Sequence, residues 1–154
     1  MITRLTLSLA IPLAALLLAP ASAAAHCQVP CGIYDDHSRV HRMKEDLATI
    51  SKAIKMIGDL SGKADAQSKN QLVRWVVTKE QHAEMIIRVI SDYFMAQKIK
   101  PAAGKKAHKA YLAQLARHHQ VMVAAMVCKQ SVDPKAVEAL AAAIKGIEKD
   151  WPVK

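Results

Sequence analysis

The chain has 154 residues, 52% of them hydrophobic and only 4% aromatic, with five glycines and six prolines. One domain of this composition excludes a sandwich or barrel of short aromatic strands and points to an alanine-rich helical protein. Twenty-two Lys and Arg against thirteen Asp and Glu give a formal charge of +9, and the three cysteines are too few for a disulfide framework and leave at least one unpaired.

Residues 1–25 read as a signal peptide. Met1–Arg4 holds the only charge of the stretch, an apolar run follows from Leu5 to Leu18, and Ala19-Pro-Ala-Ser-Ala-Ala-Ala25 closes it. A positive start, a short apolar centre and an Ala-x-Ala ending mark a secretory signal. Pro12 interrupts the run, which falls short of the ~20 residues a membrane span needs, so no stable anchor is expected after cleavage. His26 before Cys27 does not suit a lipoprotein signal and no twin-arginine pair is present, which predicts general export to a periplasm or the medium after cutting by signal peptidase. Cuts after Ala23, Ala24 or Ala25 all fit; only the last makes His26 the new N-terminus.

Beyond residue 35 the pattern predicts four helices. The first carries Val40, Met43, Leu47, Ile50, Ile54 and Ile57 at steps of three and four, and Ser61-Gly-Lys-Ala-Asp65 reads as a turn. The second carries Leu72, Val76, Ala83, Ile87, Ile90 and Phe94, until Pro101 and Gly104 break the pattern. The third runs through Tyr111 or Leu112, Leu115, His118 or His119, Met122, Ala125 and Met126. Asp133-Pro134 is a start signal, a capping side chain before proline at the first helical position, and Val137, Leu140, Ile144 and Ile147 follow. Four amphipathic helices on short connections predict an all-α, antiparallel up-down four-helix bundle over 35–154.

Most notable side chains have ordinary roles in that frame. The methionines at helical spacing fill core or interface, and Cys128 is expected as a buried or half-buried thiol. His118 and His119 point about 100° apart on a helix and do not suit one ion. His37 and His108 are expected in solvent. The lysines are spread over every helix, which does not make a nucleic-acid footprint.

His26-Cys-Gln-Val-Pro-Cys-Gly-Ile-Tyr34 does not fit that frame. Two cysteines three residues apart with a proline between them bring their thiols together. A Cys27–Cys31 disulfide is one reading, suited to an oxidising compartment. Zinc needs a second ligand pair at comparable spacing, and the Cys-x-x-Cys-His haem pattern is missing. With His26 at the N-terminus, its amine, the Cys27 amide nitrogen and the Cys27 sulfur form two fused five-membered chelate rings. The Cys31 sulfur closes the plane and the His26 imidazole reaches the axial position. Planar N₂S₂ donors suit Ni(II) or Cu(II). The anionic amide and thiolates favour the higher oxidation state, which one-electron chemistry on superoxide requires.

The string His26-Cys27-x-x-Pro30-Cys31-Gly32-x-Tyr34 resembles the hook of nickel superoxide dismutases, and Lys79-Glu-Gln-His-Ala-Glu84 and Ser91-Asp-Tyr-Phe94 are similar to segments of the same family. The resemblance implies one nickel ion per subunit held by His26, Cys27 and Cys31 in a hook spanning 26–34, with Pro30 and Gly32 setting the turn. It implies Tyr34 over the open face with Tyr93 nearby, and a homohexamer of four-helix bundles in which neighbours help hold each hook. It implies dismutation of superoxide to dioxygen and hydrogen peroxide. In the family a glutamate on the first helix and an arginine on the second hold the histidine ring; here His41 or Arg42 stands in the first region and His82 in the second slot. The basic charge suits an anionic substrate. A nickel or copper carrier using the same hook, and an exported helical protein with a structural Cys27–Cys31 bridge, are the alternatives left by the residues themselves.

Overall fold

The computed structural model describes residues 36–153. The signal segment 1–25 and the hook residues His26, Cys27, Pro30, Cys31, Gly32 and Tyr34 lie outside the described residues. Four helices follow in order, α1 (Asp36–Ser61), α2 (Ala66–Arg88), α3 (Lys105–Gln130) and α4 (Pro134–Glu148), and α2 continues as a π-helical segment over Val89–Lys98. Each helix packs on the one before it and α4 returns to α1, so four helices surround one core, the expected bundle.

The local signals set the ends. Asp65 caps α2, its carboxylate accepting from the Ser68 backbone N–H at 2.8 Å. Asp133 does the same for α4 at the Lys135 N–H, 2.9 Å away, with Pro134 entering the first turn. Gly104, at φ 86°, takes the left-handed conformation that a side chain disfavours, and its carbonyl accepts from the His108 N–H to begin α3.

Val40, Met43, Ile50 and Ile54 of α1 meet Ala83, Ile86, Ile90 and Phe94, Val121, Ala125 and Cys128 of α3, and Leu140, Ile144 and Ile147 of α4. Each larger apolar side chain fully buried there contributes about 1.5–3 kcal/mol. The predicted stripes fall inside except in two places. Val76 is 39% exposed and its neighbours Val73 and Val77 more so, because the first half of α2, before Lys79, runs past the end of α3. Met126 likewise faces outward, while Val121 and Cys128 fill the core face of α3.

The π-helical segment departs from the single straight helix the pattern predicts. The Ile99 N–H donates to the Phe94 carbonyl five residues back, and the Gln97 side-chain amide donates to the Asp92 carbonyl, also five back. Tyr93 and Phe94, adjacent in sequence, both lie inside, their rings edge to face at 5.2 Å. A π-turn inside an α-helix often marks a functional place.

Candidate metal centre and its supports

The metal donors expected at residues 26–31 precede α1, so the first turn of α1 is their root. That turn is held from three directions. The Tyr93 hydroxyl donates to Asp36 Oδ1 at 2.5 Å, and Lys98 Nζ reaches the same oxygen at 2.9 Å. His37 Nδ1 donates to the Trp151 carbonyl at 3.1 Å, so His37 is tied to the C-terminal turn and is not the solvated side chain its sequence predicts. The Arg39 guanidinium lies 4.6 Å over the Tyr93 ring and Lys98 Nζ 5.7 Å from the same ring centre, two cations against one aromatic ring. Tyr93, expected near the hook, meets the first turn of α1; it is 4% exposed and lies on the π-helical segment.

Trp151 is anchored in turn. Its ring packs on Phe94 at 4.7 Å, and its indole N–H donates to His118 Nε2 at 2.9 Å. His118 is fully buried, and its Nδ1–H donates to the Gln114 carbonyl at 2.8 Å, which fixes the neutral tautomer with Nε2 as acceptor. Burial holds this histidine below the ordinary range, partly offset by the bond to Gln114. His119 is exposed, so the two adjacent histidines serve different places. His108 is exposed, as expected.

His82, in the second-helix slot, does not face His41 or Arg42; both of those are exposed. Its Nδ1 instead donates to Asp46 Oδ1 at 2.7 Å across the α1–α2 interface. Asp46 is 5% exposed and its Oδ2 has no hydrogen-bond partner among the described residues. Sequence reading missed Asp46. One acidic side chain on the apolar side of a helix, next to Met43 and Ile50, was the available signal.

Lys79 was missed as well. It is 4% exposed, and its ammonium donates to the carbonyls of Cys128 (2.8 Å), Lys129 and Ser131 (3.3 Å), with Glu80 3.3 Å away. This places a buried cation on the last turn of α3, where the helix dipole is negative. Glu84 bridges Lys129 and Arg88 beside it, and these two cations hold its carboxyl below the usual range.

No group of three or more His, Cys, Asp or Glu side chains among the described residues is arranged to hold a metal ion. Cys128 is buried and its thiol is pushed up by that burial, which disfavours a metal-binding thiolate. The amine, amide and two thiolates expected of residues 26–31, which lie outside the described residues, have the chemistry that suits a thiophilic, planar-coordinating metal. No helix among the described residues is long and apolar enough to cross a membrane. In comparison with known proteins, the family model for nickel-containing superoxide dismutase matches residues 21–154. No curated protein and no solved structure matches.

Proposed function

Since the chain belongs to the nickel-containing superoxide dismutase family, we propose that residues 26–34 form its nickel hook and that dismutation takes place there. Membership makes the chain a superoxide dismutase, an oxidoreductase acting on superoxide, and makes nickel its cofactor. The observation that carries the finer reading is the string His26-Cys27-x-x-Pro30-Cys31-Gly32-x-Tyr34 inside the matched residues.

His26 would hold nickel through its amine and imidazole, Cys27 through its amide nitrogen and thiolate, and Cys31 through its thiolate. Bound in that set, nickel supplies one-electron exchange between its +2 and +3 states. Two superoxide ions and two protons then give dioxygen and hydrogen peroxide. Pro30 and Gly32 shape the turn, and the rings of Tyr34 and Tyr93 limit access to small anions. His82 serves as the second-helix support of the His26 ring. Asp46 is ten residues along α1 from Asp36, about 15 Å of helix, and ten residues of chain reach up to about 33 Å when extended. Ten residues of chain are therefore long enough to span from Asp36 to the level of His82. His41 and Arg42 lie on the same stretch of α1 but on its exposed side.

Removal of residues 1–25 by signal peptidase would expose His26 and place the enzyme in a periplasm or the medium. Assembly as a homohexamer is supported by the apolar surface left open on α2 and α3: Val73 is 62% exposed, Leu112 50% and Val123 49%.

Intact mass of the protein from its native host, under non-reducing and metal-preserving conditions, tests this reading. A chain beginning at His26 with one nickel is expected. A metal-free chain beginning earlier and two mass units light from a Cys27–Cys31 bridge would overturn it. Cys27→Ser or Cys31→Ser is expected to abolish nickel binding and turnover together, while His26→Gln keeps some nickel and loses most turnover.

A further inference from the structure

The first turn of α1 is tied more heavily than the start of a surface helix requires. Asp36 Oδ1 accepts from both Tyr93 and Lys98, and its side chain is only 14% exposed. One residue on, His37 donates to the Trp151 carbonyl. These partners come from two places remote in sequence, the π-helical segment and the turn after α4. Both are braced in turn, since Tyr93 packs on Phe94 under the Arg39 guanidinium, and Trp151 packs on Phe94 and donates to buried His118. Phe94, fully buried, touches both braces.

A helix start fixed at two adjacent residues has no freedom to rotate about its axis or lift from the bundle. The point at which residues 26–35 join the bundle is then held in place. We infer that Asp36 and Trp151 are positioning residues for the nickel hook, forming a two-point latch with Tyr93, Lys98 and His37 that aims residues 26–35. In this arrangement the Tyr93 hydroxyl acts through Asp36. The inference rests on the reading of residues 26–31 as the nickel ligands.

The cost of losing an outer support of a metal site is typically 10–100-fold in affinity or activity. Asp36→Ala and Tyr93→Phe each remove the hydroxyl–carboxylate bond. Each is expected to weaken nickel retention against a competing chelator about tenfold and to lower kcat/KM by a similar factor. The double variant is expected to lose no more than Asp36→Ala alone, because the hydroxyl–carboxylate bond that Tyr93→Phe removes is already lost in Asp36→Ala. In the metal-free full-length chain, Asp36→Ala is expected to speed protease cleavage within residues 26–35, with cleavage in α2 to α4 unchanged. Trp151→Phe keeps the carbonyl but loses the indole bond to His118, and is expected to raise the same cleavage by a smaller factor.

Ile144→Val, a core change in α4 away from the latch, serves as the stability control. If it matches the latch variants in both nickel loss and cleavage, Asp36 is only structural and the inference fails. Unchanged nickel retention in Asp36→Ala, or additive losses in the double variant, would likewise overturn it. Full activity in Cys27→Ser would instead sink the hook reading, and the cleavage pattern of the metal-free chain would still report on the latch by itself.

Discussion

His118 carries a polar ring in a fully buried place, and its two hydrogen bonds make that tolerable. Protonation would put a second N–H against the Trp151 indole donor. The unfolded chain takes up this proton below about pH 6.5, whereas the buried ring resists it to lower pH. Between those two values the unfolded state binds more protons, so the stability His118 contributes is complete above about pH 6.5 and is lost as pH falls toward the folded value. His118→Leu removes the ring and leaves the Trp151 N–H unpaired, at a cost of about 1–3 kcal/mol near neutrality. Urea unfolding of the metal-free chain at a series of pH values is expected to show the gap between wild type and His118→Leu narrowing toward pH 5. A gap that stays constant would show that His118 is not held neutral by its surroundings.

At the scale of elements, α3 ends on a side chain supplied by α2. Lys79 satisfies carbonyls that the last turn of a helix leaves without intrahelical donors. Lys79→Met keeps much of the stem and loses the ammonium, and it is expected to destabilise the fold by about 2 kcal/mol, as for hydrogen bonds to a charged group. Urea denaturation reads this directly, and a change within a few tenths of a kcal/mol would mean that water replaces the lysine. Sequence could not have announced this contact, because Lys79 and the Cys128 carbonyl are 49 residues apart. The helices themselves were legible, since Asp65, Gly104 and Asp133-Pro134 act locally and the stripes need only the 3.6-residue period. The π-helical segment was not legible, because its five-residue spacing is a backbone property with no marker except Gln97 bonding back to Asp92. The outward first half of α2 escaped for another reason. Periodicity says that Leu72 and Val76 share a side with the core residues, and only the packing says that α3 has ended before that side is covered.

Across the whole molecule, the candidate site divides the same way between what sequence carries and what folding adds. The proposed hook is a contiguous motif, read residue by residue in the sequence and lying outside the described residues. Its root is assembled from Asp36, Tyr93, Lys98 and Trp151, which only the closed bundle brings together. The fold also redistributes charge that looked evenly spread. No Asp or Glu occurs between Tyr93 and Val132, a stretch that includes all of α3. Lys98, Lys100, Lys105, Lys106 and Lys109 gather where α3 begins. The Asp36–Lys98 pair sets the start of α1 against the end of the π-helical segment, and the Arg117–Asp150 pair sets the turn after α4 against the middle of α3, so the first half of α3 extends toward that same end of the bundle. At the other end, Lys55, Lys63, Lys69 and Lys135 stand among Asp59, Asp65, Asp133 and Glu138. The cationic end is therefore the one from which the hook departs, and a field of that sign raises the encounter rate of a small anion. Changing Lys105, Lys106 and Lys109 to Gln is expected to lower kcat/KM for superoxide about threefold at low salt and to flatten its ionic-strength dependence. Nickel content should be unchanged, since these side chains are exposed. Changing Lys55, Lys63 and Lys69 to Gln removes the same charge from the far end and is expected to have a clearly smaller effect. Equal losses in the two triple variants would mean that net charge alone attracts the substrate, and no loss in either would mean that encounter does not limit the rate.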